Sequence, residues 1–151
     1  MPRLSLVIPG YNEEPNIKAL DARLRPVLEG LTRRFDDIEV VLVDDGSRDG
    51  TWAAIQALAA TSRGAITFRG VKHPTNLGLG AAMRTGLTAA TGDVIVTTDS
   101  DATYRFEEIP ALLDVLTDDV DLVTASPYHP QGAVDNVPAY RLFFSRGASF
   151  L

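Results

Sequence analysis

Glu39-Val40-Val41-Leu42-Val43-Asp44-Asp45-Gly46-Ser47 opens on a nearly continuous apolar run and ends in a polar turn. Such a run reads as a strand buried on both faces, which is the mark of a parallel sheet. The pattern recurs on either side. Leu4-Ser5-Leu6-Val7-Ile8, Ile66 to Val71, Val94-Ile95-Val96-Thr97-Thr98 and Leu122-Val123-Thr124-Ala125 are further strand-type runs. Between them lie helical patterns. Pro15 to Leu31 carries Ile17, Leu20, Leu24, Val27, Leu28 and Leu31 at helical spacing, with a kink expected at Pro26. Thr51 to Ala60, Gly80 to Ala90 and Phe106 to Leu116 are the other helices. Strands alternating with helices predict an α/β fold: a mostly parallel, Rossmann-like sheet of five strands with helices on both faces.

The chain of 151 residues suits a single domain, 1–151. Its formal net charge of −6 argues against nucleic acid as a partner, which calls for clustered positive charge. With no cysteine, disulfides and Cys-based zinc sites are excluded. No apolar run approaches the ~20 residues that span a bilayer, and Met1-Pro2-Arg3-Leu4 has no signal-peptide pattern. Val137 to Leu151 reads as the opening of an amphipathic helix that stops at Phe150-Leu151. An apolar end of this kind leads us to expect a C-terminally truncated fragment of a longer chain.

Ligands of such sheets bind outside the carboxyl ends of the strands. Three polar clusters fall there: Pro9-Gly10-Tyr11-Asn12-Glu13, Asp44-Asp45-Gly46-Ser47 and Asp99-Ser100-Asp101. Asp99 and Asp101 can converge on one point. They fit either a solvated turn or an oxygen-ligand pair for Mg²⁺ or Mn²⁺, whose remaining ligands would be water and phosphate. Asp44 directly extends its strand. It could accept from a base N–H or a ribose hydroxyl, or cap the backbone. Tyr11 could stack on a base and Glu13 bond to ribose, or the segment could simply start a helix. Asp49 or Thr51 could cap the helix that follows. Asn76-Leu77-Gly78-Leu79-Gly80 is a glycine turn, but Met83 breaks the dinucleotide fingerprint and no Gly-Lys-Ser/Thr follows for a P-loop. Arg141 and Ser145, four residues apart, would share a helix face; arginine suits phosphate, but these residues alone favour a solvated amphipathic face. His73 and His129 have no metal-ligand spacing and receive no role.

Taken in order, these clusters resemble the family 2 glycosyltransferases of the GT-A fold. The matching residues are Pro-Gly-Tyr-Asn-Glu-Glu at 9–14, Val-Asp-Asp-Gly-Ser at 43–47 with Asp49 and Thr51, Asn-x-Gly-x-Gly at 76–80, Gly-Asp at 92–93 and Asp-Ser-Asp at 99–101. The branch that looks most similar is that of dolichol-phosphate mannose synthase and its bacterial polyprenyl-phosphate relatives. The resemblance implies that Pro9, Tyr11, Glu13 and Asp44 hold the nucleoside. Asp45 and Ser100, inside the matching motifs, join that substrate-binding set. Asp99 and Asp101 would bind the metal and the diphosphate, and Arg141 and Ser145 would meet an acceptor phosphate. Two positions depart from the branch: Thr103 stands where a glutamine often assists the metal, and Pro127 where an arginine often contacts phosphate.

The implied activity is inverting, metal-dependent transfer of a hexose from a nucleotide diphosphate sugar to a polyprenyl phosphate. Such an acceptor oxygen is already ionised and needs little general-base help. Transfer to a glycan hydroxyl and a catalytically incomplete nucleotide-sugar-binding module are the alternatives. The same resemblance implies a cytoplasmic protein at the cytoplasmic face of a membrane, with peripheral membrane contact in the full-length form, and admits a homo-oligomer.

Overall fold

The computed structural model describes residues 1–125. Four of the expected strands form: β1 (Leu4–Gly10), β2 (Ile38–Asp44), β3 (Ile66–Lys72) and β4 (Val94–Thr97). The helices are α1 (Glu14–Leu31), α2 (Thr51–Ala59), α3 (Leu79–Ala89) and α4 (Ile109–Val115), the last entered through a short 3-10 turn at Phe106–Glu108. All strands are parallel, in the order β3-β2-β1-β4.

Side-chain alternation along the strands sorts the core into two layers. Leu4, Leu6 and Ile8 of β1, with Ile38, Val40 and Leu42 of β2, pack under α1, α2 and the Phe106–Leu113 segment. Val7, Val41 and Val43 face α3 through Ala82, with Val71 and Met83 beside them. The second layer is thin because α3 lies close to the sheet. A Cβ on Gly86 would sit 2.3 Å from Val7 Cγ1.

The start of α1 is held from a distance. Its first N–H groups find no local cap; instead Glu13 N–H donates to Thr51 Oγ1 (2.8 Å) and Glu14 N–H to Asp49 Oδ2 (3.3 Å). Asp49 Oδ1 meanwhile accepts from Thr51 N–H, the first residue of α2 (3.0 Å), so one carboxylate serves the beginnings of two helices. Pro26 does not end α1. It lies with Ala22 on the exposed face, where water can take the carbonyl that loses its helical donor.

The expected fifth strand is corrected. Leu122 to Ala125 form no strand, and Leu122 is 78% exposed. An apolar run becomes a strand only when another strand takes its backbone groups, and none does so here among the described residues. Met1–Leu113 forms one compact unit, and the chain from Asp114 onward belongs to a second. The described part of the second includes a polar turn in which Thr117 Oγ1 donates to Asp119 Oδ1 (2.6 Å) and Val120 N–H to Thr117 O (2.9 Å).

Beneath the α3 layer, at the end of the sheet away from the three polar clusters, Glu39 collects four donors. They are Ser5 Oγ (2.5 Å), Arg69 Nε (2.9 Å), Thr91 N–H (2.5 Å) and Thr91 Oγ1 (2.9 Å). Burial alone would raise this carboxyl, but the hydrogen bonds from Ser5, Thr91 and Arg69 pull it down to about 2.

Candidate functional site

The strand order places a switch point between β1 and β4. The chain leaves β1 toward β2 on one side, whereas β4 arrives from β3 on the other, so the loops at their carboxyl ends diverge and open a crevice. The pairing itself shows the opening. β4 follows β1 only from Leu4 to Val7, while β2 stays paired through Gly10. Pro9 is thus tolerated inside a central strand, because beyond Val7 one side of β1 has no ladder neighbour to receive an N–H.

Three loops border this crevice. In the first, Tyr11 is partly exposed and Asn12 takes the left-handed conformation at φ 56°. Asn12 is locked there by the second loop: its N–H donates to Ser47 Oγ (2.9 Å) and its Oδ1 accepts from Arg48 N–H (2.9 Å). Glu13 Oε2 accepts from Asn16 Nδ2 (2.5 Å) and from Ser100 Oγ (3.2 Å).

The second loop carries two adjacent aspartates with different surroundings. Asp44 is wholly buried; its Oδ1 accepts from Ser47 N–H (2.9 Å) and its Oδ2 has no hydrogen-bond donor. Lys72 Nζ stands 4.0 Å from that oxygen and 5.6 Å from the centre of the Trp52 ring. A buried acceptor without a hydrogen-bond donor costs about 1–3 kcal/mol, and the Lys72 ammonium is the group that offsets this cost here. Asp45 is different. Its Oδ1 lies 2.7 Å from His73 Nδ1 and accepts from Leu77 N–H (2.9 Å), and its Oδ2 accepts from Gly78 N–H (2.8 Å). Burial opposes its charge, but the bonds from Leu77, His73 and Gly78 hold its carboxyl below the usual range. Both oxygens are engaged inside the fold, where they hold His73 and the turn at Leu77 and Gly78. Gly46, at φ 71°, lets this loop touch the next one: a Cβ there would stand 2.2 Å from the Thr75 carbonyl carbon.

The third loop is Asp99-Ser100-Asp101. Ser100 points inward and is 2% exposed. Asp101 Oδ1 accepts from Thr103 N–H (2.8 Å), its carbonyl accepts from Arg23 Nη2 (3.2 Å), and Ala102 is forced to φ 54°. Asp99 is held above the usual carboxylate range by partial burial, then by the negative charges of Asp101 and Glu13. Three carboxylates, Asp99, Asp101 and Glu13, therefore share one field at the crevice. Among the described residues no three acidic or histidine side chains form a ready metal cage. The donor set fits a hard divalent cation that takes one or two carboxylates and fills its shell with water and phosphate oxygens.

Pro9, Tyr11, Glu13, Asp44, Ser100, Asp99 and Asp101 all lie on the strand ends and loops that border this crevice. Arg141, Ser145 and Pro127 lie outside the described residues. Sequence reasoning passed over His73, which is 8% exposed and bonded through both ring nitrogens. Its one signal was its position directly after a strand, on the side of the sheet where ligands bind.

Four parallel strands, helices on both faces and carboxylates gathered at the β1–β4 crevice define an α/β domain of GT-A architecture. The sequence pattern described as glycosyl transferase family 2 matches residues 5–150, and the chain belongs to that family. It is 34% identical over 146 residues to a dolichol-phosphate mannosyltransferase of Pyrococcus furiosus, covering 97% of this chain and 39% of that protein. It is 37% identical over 120 residues to an undecaprenyl-phosphate 4-deoxy-4-formamido-L-arabinose transferase of Aeromonas hydrophila, covering 80% of this chain and 35% of that one. The chain thus spans well under half the length of these relatives. Among solved structures it resembles a mannosyltransferase from Pyrobaculum calidifontis in complex with GDP-Man and Mn²⁺. The TM-score is 0.51 and the identity 32%, over 71% of this chain and 30% of that one.

Proposed function

We propose that this chain provides the donor half of a transferase that moves a hexose from a nucleotide diphosphate sugar to a polyprenyl phosphate, with Mg²⁺ or Mn²⁺. The observation that carries the reading is the gathering of Asp99, Asp101 and Glu13 at the crevice, where partial burial and the two neighbouring charges disfavour the charge on Asp99. A divalent cation with a diphosphate is the chemistry that resolves it. The polyprenyl-phosphate names of the two relatives support the acceptor, and the Mn²⁺ complex of the Pyrobaculum enzyme supports the metal.

Each residue then has a task. Asp44 Oδ2 accepts an N–H from the base, with the Lys72 ammonium beside it for a neighbouring carbonyl. Uracil and guanine carry such an edge; adenine and cytosine do not. Tyr11 offers a ring for stacking. Glu13, its Oε2 engaged by Asn16 and Ser100, presents Oε1 to a ribose hydroxyl. Asp99 and Asp101 hold the cation, which when bound neutralises charge developing on the departing diphosphate. Arg141 and Ser145 receive the acceptor phosphate. Among the described residues no helix is long and apolar enough to cross a membrane. The contact proposed for this part of the protein is peripheral, at the cytoplasmic face.

The test is a thermal-shift panel with GDP-mannose, UDP-glucose and UDP-N-acetylglucosamine, each with and without Mn²⁺. A ligand at a hundred times its Kd adds about 2.7 kcal/mol to stability, so one nucleotide sugar should raise the midpoint in a metal-dependent way. A flat response across the panel would sink the reading. Labelled donor offered with a polyprenyl phosphate or with a free glycan then separates a lipid acceptor from a sugar hydroxyl.

A further inference from the structure

His73 belongs to none of the motifs that mark the site, yet it ties two of the site's walls together. It follows β3 directly, and its main-chain N–H donates to the Asp44 carbonyl (2.8 Å). Its ring is buried, with Nδ1 2.7 Å from Asp45 Oδ1 and Nε2 2.8 Å from Thr85 Oγ1 on α3. A carboxylate only accepts, so Nδ1 carries the proton and donates to Asp45. In the neutral ring Nε2 then accepts from the Thr85 hydroxyl, and the orientation of the imidazole is set at both ends.

What Asp45 does with this support decides the role. Its two oxygens receive the N–H groups of Leu77 and Gly78, which fix the turn that opens α3. That turn is unusual backbone: Gly78 lies at φ 92°, and the preceding Thr75-Asn76 peptide is packed directly against Gly46. Gly46 is two residues beyond Asp44, whose Oδ2 has no hydrogen-bond donor and is the atom proposed above to meet the base. Thr85, His73, Asp45 and the 77–78 turn thus form one hydrogen-bonded chain behind the residue that reads the nucleoside.

We infer that His73 is a positioning residue for donor binding. It orients Asp45, and Asp45 holds the Asn76-Leu77-Gly78 turn against Gly46 so that Asp44 and its loop keep the geometry the nucleotide requires. The inference rests on the donor reading proposed above. A histidine that merely fills the core would add to global stability alone. A positioning histidine controls one turn and one affinity.

The experiment uses the 151-residue chain as wild type and as His73→Phe, His73→Asn and Thr85→Val. Phenylalanine keeps the ring and removes both bonds. Asparagine restores a donor toward Asp45 without the bond to Thr85. Valine removes only the outer bond and keeps the shape of threonine. Amide exchange is read in the ligand-free proteins, and affinity for GDP-mannose and UDP-glucose is read with Mn²⁺. In His73→Phe, exchange should quicken at Leu77 and Gly78 while the amides of β1 and β2 stay protected. Donor affinity should fall about tenfold, the scale of one hydrogen bond to a charged group. His73→Asn should recover most of that loss, and Thr85→Val should lie between it and wild type. Unchanged donor affinity in His73→Phe, or exchange that quickens equally throughout the sheet, overturns the inference. Should His73→Phe not fold, Thr85→Val decides the matter by the same two readouts. If the wild-type chain binds neither nucleotide sugar, the donor reading itself fails and this inference falls with it.

Discussion

Ser100 Oγ lies 3.2 Å from Glu13 Oε2 and joins the turn after β4 to the turn after β1 across the crevice. These two strands part company after Val7, so their loops have no ladder to hold them in register. Ser100 is 2% exposed, and its hydroxyl donates to a carboxylate. Ser100→Ala should lower stability by about 0.5–1.5 kcal/mol, the ordinary net worth of an intramolecular hydrogen bond. It should also weaken the metal-dependent response to donor, because Asp99 and Asp101 flank the residue. Urea denaturation and donor titration read the two effects separately. A variant with wild-type values in both would show that the bond joins nothing of consequence.

Asp99→Asn should have effects of opposite sign with and without ligand. In the ligand-free chain Asp99 suffers from partial burial and from the charges of Asp101 and Glu13. Neutralising it removes that repulsion, so the metal-free melting midpoint should rise. The same change deletes a cation ligand, so the added stability from Mn²⁺ with nucleotide sugar should vanish. Melting curves in chelator and in Mn²⁺ with donor make the comparison. A fall in the metal-free midpoint would contradict the account of the charge cluster.

Glu39 should set part of the chain's acid stability. Its carboxyl is lowered from 4.5 to about 2 by the bonds from Ser5, Thr91 and Arg69, which outweigh the effect of burial. A group depressed in the folded state contributes stability that is complete above its unfolded value and is lost as pH falls through its folded value. The contribution is on the order of 3 kcal/mol for a shift of this size in a side chain that is largely buried. It should disappear between about pH 4.5 and pH 2. Glu39→Gln should therefore be less stable than wild type at pH 7, with the gap narrowing toward pH 2. Parallel denaturation curves across that range would expose a gap that stays constant, which is the contrary result.

Much of this fold could be read from β-type runs such as Val40 to Val43, because a strand buried on both faces has few other ways to look. The carboxyl-end rule then placed Tyr11, Asp44 and Asp99 on one edge without any coordinates. What stayed hidden depends on partners far along the chain. Asp44 and Asp45 are equal in sequence, yet one keeps an oxygen without a hydrogen-bond donor and the other is engaged by His73, Leu77 and Gly78. The link from His73 to Asp45 crosses 28 positions, and the cap on α1 comes from Thr51, 38 positions away from Glu13. Leu122 to Ala125 failed for a related reason. Their composition is right for a strand, but composition does not supply the neighbour a strand needs.

The same substitution at two glycines should move stability in opposite directions. Gly30 sits in the last turn of α1 with nothing within 4 Å of an added Cβ. Alanine there lowers the entropy of the unfolded chain and favours the helix, so Gly30→Ala should stabilise by about 0.5–1 kcal/mol. Gly86 lies in the middle of α3, where the same intrinsic preference applies. There, however, the new methyl would meet Val7 Cγ1 at 2.3 Å and Val43 Cγ2 at 3.2 Å. Both valines are buried in the sheet and cannot swing away, so α3 must lift. Gly86→Ala should cost about 1–3 kcal/mol, the range for overpacking a filled core. Helix preference alone predicts a gain at both sites; close packing of α3 on β1 and β2 predicts a gain at Gly30 and a loss at Gly86. Equilibrium unfolding of the two variants chooses between them. A stabilised Gly86→Ala would mean that α3 sits farther from Val7 than the structure places it.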